Sequence, residues 1–383
     1  ATLANWPMKI VFVDIAWGTG YRTIQLANIV VSRIEGVNFT NQSLKEQYLG
    51  EALFMRALVY FDLVQVFGDV PLSVREITSP AEAYTYTRQN AATIMAQVKA
   101  DLQEAASLLP DKGDIVAGRA TRAAALTLLG KVHLALDEFT EAEQVLGQVS
   151  GYSLLPDYGA VFSADNENNE ESIFELQYID NLDGSNFSAE LTPYAKAGEI
   201  FGAGSDGGGT VLPTEALLNS YEEGDERRAK GYRTMTFNDG QTLTWIAKST
   251  NLPPINFVSG DNFIVLRYAD VLLMRAEALS QRGTVNNAQA LELVNQVRRR
   301  AFGLDINTPA PAADLDQLNN EALLVERQRE LAIEGHRWFD LLRFDAAVEV
   351  MATQGYTLNQ NKLLFPIPES QINIYNLQPN PGY

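Results

Sequence analysis

One charged segment near the C-terminus, residues 326–343, holds the residues best placed for chemistry. His336 and Asp340 stand four positions apart, so a helix would place them on one face as a potential catalytic pair. Such a pair also needs a nucleophile, and no serine lies in a G-x-S-x-G motif. The four arginines of the segment balance three glutamates and one aspartate, which is typical of a partly buried ion-pair lattice. The segment is therefore predicted to be structural rather than catalytic.

Metal and thiol chemistry is limited by the composition. The chain has no cysteine, which excludes thiolate nucleophiles, disulfides and cysteine-ligated zinc. Its two histidines, His133 and His336, are too few for a three-histidine zinc site. Asp165–Glu171 offers oxygen ligands for calcium, although the spacing matches no EF-hand. We expect no cofactor and keep calcium in this loop as the one alternative.

Phosphate-bearing partners are disfavoured by motif context and by charge. Gly202–Gly207 fits G-x-G-x-x-G, but no apolar strand precedes it and Pro213 prevents the helix that the nucleotide motif requires. We predict a flexible or tight-turning loop there. The 29 basic and 48 acidic side chains give a net charge of −19, which excludes nucleic acid and adsorption to an anionic membrane face. Arg298–Arg300 closes a predicted helix, where positive charge complements the helix dipole.

The elements that must position a site are mostly helices. From Ala91 to Leu109, apolar residues recur every three or four positions, the pattern of an amphipathic helix. Ser43–Phe67 is apolar nearly all round beyond Ala52, which predicts burial on several sides. The predicted helices span residues 22–35, 43–67, 91–109, 119–136, 140–149, 288–301 and 320–344, with one more from Tyr268 to a stop at Gly283.

Two helix pairs have the spacing of tetratricopeptide repeats. In the first pair, Gly130 lies where two helices would cross, and Phe139 would fill the next gap. The second pair runs from Tyr268 to Ala301, with Ala276 and Ala278 as its small residues. The predicted fold class is therefore mainly α, with a scaffold of tetratricopeptide-like helix pairs packed side by side.

Helical periodicity is lost between residues 151 and 265. Short β-like runs at 172–178 and 243–245 lie among glycine, asparagine, aspartate and proline residues. Irregular insertions on a rigid scaffold commonly carry binding surfaces. We predict one architecture with four parts: an N-terminal helical part (1–150), a variable region of loops and short strands with the ligand site (151–265), C-terminal tetratricopeptide-like helices (266–350) and an extended tail (351–383).

Aromatic residues outside the predicted helices are the candidates for ligand binding. Aromatic faces stack on sugar rings, while asparagine, aspartate and arginine side chains bind the hydroxyl groups. The candidate residues are Trp6, Tyr84, Tyr86, Tyr194, Tyr232 and Trp245.

Several segments, in order along nearly the whole chain, resemble one family. The early ones are Trp17–Asn28, Glu51–Leu72 and Ile173–Glu175; the later ones are Leu266–Ala278, Glu326–Arg343, Phe365–Glu369 and Asn380–Tyr383. Together they make the sequence similar to the SusD/RagB group of Bacteroidota outer-membrane nutrient-binding lipoproteins. The motifs of that group belong to its scaffold, so the resemblance assigns no ligand residue.

The resemblance implies a binding protein rather than an enzyme. Members bind oligosaccharides, or peptides in some cases, and cover a TonB-dependent, SusC-like transporter that imports the ligand. They are held at the extracellular face of the outer membrane by a lipid on an N-terminal cysteine. This sequence lacks that cysteine, so we expect that the anchor lies outside it and is the only membrane association.

Two alternatives to glycan binding stay open. The many aspartate, glutamate and asparagine residues of the variable region would also suit an oligopeptide, bound as the lid of the same type of transporter. A tetratricopeptide adaptor for a protein partner would instead require a continuous concave helical groove.

Overall fold

The computed structural model describes residues 7–180, 182–250, 252–280 and 287–383. The candidate Trp6 and the predicted helix stop at Gly283 lie outside these residues. The chain divides into two compact units. Unit 1 comprises the residues up to Ile115, Arg119–Gln148 and Trp338–Tyr383, and unit 2 comprises Val116–Gly118 and Val149–Arg337. The predicted four-part division stays a prediction.

Unit 1 begins with successive helices and one short antiparallel strand pair. The helices are α1 (Pro7–Arg33), α2 (Gln42–Phe67), α3 (Pro80–Ala83), α4 (Ala91–Leu108), α5 (Arg122–Ala135) and α6 (Phe139–Leu146), and the strands are β1 (Val70–Pro71) and β2 (Arg88–Gln89). In α2 the Asn41 side chain accepts a hydrogen bond from the Leu44 N–H at the first turn. Gly68, with φ of 72°, ends the helix in a conformation that glycine favours.

The first helix starts earlier than its predicted beginning at Arg22. α1 already begins at Pro7, because Gly18 and Gly20 lie inside it rather than breaking it. At Gly20 the helix passes so close to α2 that a Cβ atom would lie 3.3 Å from Val59 Cγ1. The glycine therefore allows a close helix crossing, at some cost in helix propensity.

The first predicted tetratricopeptide-like pair is confirmed as α5 and α6. A Cβ atom on Gly130 would lie 2.3 Å from Leu146 Cγ, so the two helices are in direct backbone-to-side-chain contact. Ala142 and Leu146 are buried in this contact. The small residue thus has the role that its spacing predicted.

Unit 2 contains two further pairs of short strands and the second long helix pair. Its helices are α7 (Phe187–Leu191), α8 (Ala197–Ile200), α9 (Glu215–Leu218), α10 (Glu226–Gly231), α11 (Tyr268–Ser280), α12 (Ala288–Ala301) and α13 (Asn320–Glu330). Its strands are β3 (Ser172–Leu176), β4 (Tyr232–Thr236), β5 (Thr242–Ile246) and β6 (Phe263–Arg267). The strands form two antiparallel pairs, β3 with β6 and β4 with β5. The mainly α fold with helix pairs is confirmed.

The charged segment does not form the single helix that was predicted over residues 320–344. It is divided into α13 and a second helix, α14 (Arg337–Arg343). Ile333 and Gly335 have φ of 70° and 81° between the two helices, which breaks the helical path. His336 precedes α14, and its Nδ1 lies 3.6 Å from Asp270 Oδ2. The predicted placement of His336 and Asp340 on one continuous helix is therefore wrong.

The C-terminal tail belongs to unit 1 and is fastened at its end. After α14 it forms α15 (Ala347–Thr353) and α16 (Glu369–Tyr375), so it is less extended than predicted. The buried Asn380 side chain donates hydrogen bonds to the carbonyl oxygens of Phe67, at 2.9 Å, and Phe365, at 2.7 Å. These bonds fix the tail to the end of α2.

Candidate functional site

The charged segment forms a buried ion-pair lattice in unit 2, as predicted. Glu330 lies at its centre, where its Oε1 is 2.6 Å from Arg267 Nη1 and its Oε2 is 3.0 Å from Arg227 Nη1. Arg300 also pairs with Glu330 Oε1. Burial would raise the pKa of Glu330, but Arg300, Arg267 and Arg227 together hold it well below its ordinary value. Glu330 is therefore a permanent buried anion and not a general acid.

Of the three arginines that close α12, Arg298 and Arg300 belong to the same lattice, whereas Arg299 pairs separately with Glu292 and Asp314. Arg298, Arg299 and Arg300 are all buried, each paired with carboxylates, so their role is larger than the predicted complement to the helix dipole. Glu171 extends the lattice by accepting from Arg267, at 2.9 Å, and from Arg300, at 2.8 Å. These arginines pair with carboxylates inside the unit and are not available to a ligand.

One lysine of the lattice has a strongly perturbed pKa. Lys248 Nζ lies 3.0 Å from the Tyr158 hydroxyl and 3.0 Å from the Ala332 carbonyl oxygen, and it pairs with Glu334. Burial lowers the pKa of Lys248 to about 8, against an ordinary value of 10.5. The side chain is buried and has protein partners for its ammonium group, so we assign it to the structure.

The Lys248 environment predicts a pH dependence of stability. Above pH 8 the folded protein loses a proton that the unfolded chain keeps until about pH 10.5, so the unfolded state binds more protons and raising the pH favours folding. Urea unfolding at several pH values should show wild type gaining stability relative to Lys248→Met between these limits. A difference that stays constant or falls with pH would contradict this assignment.

The predicted calcium loop has its oxygen ligands in other contacts. Glu171 is bound by two arginines, and the Asn169 side-chain oxygen accepts the N–H groups of Glu171 and Ser172. Glu167 Oε1 accepts the Asn262 N–H at 3.0 Å. Among the described residues, no group of three or more histidine, aspartate or glutamate side chains is arranged to hold a metal ion.

The predicted aromatic candidates occupy very different environments. Tyr232 lies in β4, where it pairs with Ile246, and Trp245 lies in β5, where it pairs with Arg233. They are only 7% and 3% exposed, which leaves little ring surface for a ligand. Tyr84 and Tyr194 are 59% and 75% exposed. Tyr86 is half-buried in the wall of a cavity in unit 1. The described candidates therefore divide between two surfaces, one in each unit.

The unit 1 cavity has a volume of about 540 Å³ and aromatic walls. Trp17 and Tyr21 of α1 line it together with Tyr86 and Tyr375, and the Tyr84 ring lies 5.6 Å from the Tyr375 ring. Sequence reasoning missed Trp17, Tyr21 and Tyr375 as wall residues, although all three lie outside the predicted helices. Trp17 and Tyr21 belong to a family-resembling segment that was assigned to the scaffold, and Tyr375 belongs to the predicted extended tail.

The polar groups of this cavity are already engaged within the protein. Gln25 both donates to the Ile77 carbonyl oxygen and accepts the Ile77 N–H, at 2.9 and 3.1 Å. Asn28 donates to the Ser73 carbonyl oxygen and accepts from Arg56. A ligand with many hydroxyl groups would find few free partners here, so the cavity suits an apolar occupant better than a sugar.

Unit 2 carries an exposed apolar surface on the loops of the variable region. We call it the loop surface. Apolar side chains with more than a third of their area exposed lie on three stretches of this region, residues 179–185, 190–212 and 254–261. The exposed Asn256 lies on the third stretch. Contiguous exposed apolar area on a globular protein commonly marks a binding site. The apolar residues of the loop surface are Ile179, Leu182, Tyr194, Val211, Leu212, Ile255 and Phe257.

Hydrogen bonds join these three stretches into one surface. Ser185 and Ser259 exchange two backbone hydrogen bonds of 2.8 Å, which tie the first stretch to the third. The Asp206 N–H donates to the Pro254 carbonyl oxygen at 2.8 Å, and the Asp206 carboxylate accepts the Phe257 N–H at 3.3 Å. The Val211 N–H donates to the Glu190 carbonyl oxygen. These hydrogen bonds therefore hold the three stretches together as one surface.

The backbone under the two aromatic residues is in a conformation that non-glycine residues rarely adopt. Ala195, next to Tyr194, has φ of 56°, and Asn256 and Phe257 have φ of 51° and 63°. Gly209 passes so close to Tyr194 that a Cβ atom would lie 2.5 Å from the Tyr194 backbone nitrogen. The glycine-rich stretch is thus the tight-turning loop that was predicted. Such local strain concentrates at functional sites.

Phe257 was missed by sequence reasoning, although a signal was present. Pro253-Pro254 marks a loop, and Asn256 is a residue type that tolerates a left-handed backbone. The sequence does not show that the following phenylalanine is also left-handed and 51% exposed.

Known families match both ends of the chain. The profile described as "SusD family" matches residues 256–383, and the profile described as "Starch-binding associating with outer membrane" matches residues 6–134. SusD-like protein P25 of Formosa agariphila is 28% identical, over 97% of this chain and 79% of its own length. The chain belongs to the SusD/RagB family.

Solved structures of SusD proteins share this fold over almost the whole chain. A laminarin-binding SusD-like protein superposes with a TM-score of 0.80, at 27% identity, over 96% of this chain and 86% of its own. A SusD superfamily protein from Parabacteroides distasonis gives a TM-score of 0.81, at 26% identity, over 97% of this chain and 86% of its own.

The two SusD profiles leave residues 135–255 unmatched. Most of the loop surface, including Tyr194, lies in that interval, whereas the walls of the unit 1 cavity lie in the matched ends. Most of the loop surface of this SusD-family chain is thus not described by the profiles, although Phe257 lies within the matched C-terminal residues. Within the described parts of the chain, no helix is both long enough and apolar enough to cross a membrane.

Proposed function

We propose that this chain is a non-catalytic glycan-binding protein whose site is the loop surface of unit 2. The observation that carries the proposal is the exposure of Tyr194 and Phe257 on strained loops that are hydrogen-bonded to each other beneath the surface. Aromatic rings held in place stack on the C–H faces of sugars without a large ordering cost on binding. The exposed Asn256 side chain and Tyr194 hydroxyl supply hydrogen-bonding groups beside them.

The family supports this assignment and suggests the biological setting. One matching profile is described as starch-binding and outer-membrane-associated, and a relative at 27% identity is named for laminarin binding. We infer that the protein is a lipid-anchored component of the outer membrane, at its extracellular face. There it would pass oligosaccharide to a SusC-like TonB-dependent transporter.

Titration calorimetry against a glycan panel that includes laminarin and starch tests the binding function. We expect weak to moderate affinity for at least one glycan, because an exposed site removes few groups from water. Tyr194→Ala and Phe257→Ala should each weaken that affinity about tenfold, which corresponds to about 1.4 kcal/mol for one lost stacking partner.

Tyr84→Ala is the matched control, because it removes a similarly exposed tyrosine from unit 1. It should leave the affinity within about twofold of wild type. If Tyr84→Ala or Tyr86→Ala abolishes binding while Tyr194→Ala does not, the glycan site belongs to the unit 1 cavity. If no glycan binds at all, the proposed function is wrong.

The unit 1 cavity favours oligopeptide binding as the second candidate function. Its walls are aromatic and its amide groups are already bonded, which suits the apolar side chains of a peptide. A peptide library should then change the tryptophan fluorescence of wild type, which has four tryptophans, more than that of Trp17→Phe, and Tyr375→Ala should weaken the response. Absence of any response to peptides, together with glycan binding, would eliminate this candidate.

A further inference from the structure

We propose that the loop surface selects neutral glycans and excludes sulfated or uronic-acid polymers; this inference rests on the proposed function. The stretches that build the surface, residues 179–212 and 254–261, contain six carboxylates and one basic residue. The basic residue is Lys196. The carboxylates are Asp180, Asp183, Glu190, Glu199, Asp206 and Asp261.

Lys196 does not offset the carboxylates at the surface. It is 8% exposed, its ammonium group pairs with Asp239, and it lies 4.9 Å from the centre of the Phe237 ring. The arginines Arg227, Arg267 and Arg300 are deeper still, in the buried lattice. The stretches that build the surface therefore present no free cation among their described residues.

Several of the carboxylates are placed where a bound polymer would meet them. Asp183 is exposed and directly follows Leu182, and the exposed Asp180 follows Ile179. Asp206 lies against Phe257, whose N–H it accepts. The apolar residues that would contact the sugar thus alternate with negative charge.

The charge pattern predicts the sign of a salt effect. An anionic polymer on an acidic surface is repelled at low ionic strength, and added salt screens that repulsion with a Debye length of about 8 Å at 0.15 M. Its affinity should therefore rise with salt. A basic polyanion site behaves oppositely, because counterion release makes its affinity fall as salt rises. A neutral glycan should show little dependence in either direction.

The experiment compares laminarin and soluble starch with their chemically sulfated derivatives, by calorimetry at about 20 mM and 0.5 M NaCl. The sugar backbones are matched, and the salt dependence separates the effect of the added charge from the loss of a hydroxyl group and the bulk of the sulfate ester. We expect the sulfated form of whichever glycan binds to be at least about tenfold weaker at low salt, and the ratio to shrink at high salt.

Asp183→Asn should reduce the ratio of neutral-glycan affinity to sulfated-glycan affinity at low salt about two- to threefold. Asp316→Asn is its control, because Asp316 is an exposed carboxylate in the segment between α12 and α13, which contributes nothing to the loop surface. A sulfated glycan that binds as tightly as the neutral one, with affinity falling as salt rises, would overturn the charge exclusion and leave glycan binding intact. Failure of both neutral glycans to bind would instead reject the proposed function, and this inference with it.

Discussion

Glu330→Ala is expected to destabilise the protein by about 3–5 kcal/mol, a larger loss than we predict for any other single substitution. The change leaves Arg227, Arg267 and Arg300 buried without the carboxylate that all three share. Burying a charge costs several kcal/mol unless a charged partner compensates, and Glu330 is such a partner for all three arginines. Urea unfolding monitored by circular dichroism measures the difference in unfolding free energy.

Glu292→Ala is the matched control for this substitution. Glu292 also pairs with a buried arginine, Arg299, but its own side chain is 44% exposed and Asp314 remains as a second partner. Its loss should cost less than about 1 kcal/mol, as for other exposed ion pairs. Equal effects of the two substitutions would show that burial of the lattice does not govern its energetics.

The lattice also explains why the arginines of unit 2 contribute to its scaffold and not to the loop surface. It gathers arginines from α10, β6 and α12 around the end of α13, and so joins elements that are distant in the sequence. The loop surface remains acidic because these arginines pair with internal carboxylates. A rigid ionic core and an acidic, aromatic exterior are therefore two consequences of the same placement of arginine.

Much of the scaffold could be predicted because its signals are local. The apolar repeat from Ala91 to Leu109 and the near-continuous apolar run to Phe67 became α4 and α2 with small changes at their ends. The charge balance of residues 326–343 predicted an ion-pair lattice, because so many opposite charges in one segment are stable only when paired. The sequence did not reveal the partners, which come from α10, β6 and α12.

The helix boundaries that failed depend on tertiary contacts. The first helix was predicted to begin at Arg22, yet α1 begins at Pro7 and continues through Gly18 and Gly20, and at Gly20 it passes close to α2. Residues 331–336 read as helical, yet Ile333 adopts a left-handed conformation that an isoleucine avoids in isolation. Local propensity is a weak prior at both places because packing decides.

The candidate site was only partly predictable for a similar reason. Tyr194 and Trp245 are both aromatic residues of the irregular region, and nothing local distinguishes them. Pairing of β4 with β5 brings the Trp245 ring to 6.1 Å from the Phe237 ring and leaves Trp245 only 3% exposed, whereas Tyr194, next to the turn at Ala195, is 75% exposed. Exposure is set by long-range pairing, so a single sequence supplies candidates and the structure separates them.

Gly130→Ala is expected to destabilise the protein by about 2–3 kcal/mol, although the same change in an open helix would stabilise it by up to about 1 kcal/mol. The new Cβ atom would lie 2.3 Å from Leu146 Cγ and 2.4 Å from Leu146 Cδ2. Leu146 is itself buried, so its side chain has no free volume to enter. The α5–α6 pair must separate, and thermal unfolding of the full chain reports the loss.

Two further variants make this prediction specific to the helix crossing. Gly18→Ala is the matched control, because Gly18 is also inside a helix but a Cβ atom there meets nothing within 4 Å; it should be neutral or stabilising. In the double variant Gly130→Ala with Leu146→Ala, the clash is removed, so the combined loss should be smaller than the sum of the two single losses. Strict additivity, or a stabilising Gly130→Ala, would mean that the two helices do not depend on the absence of a side chain at residue 130.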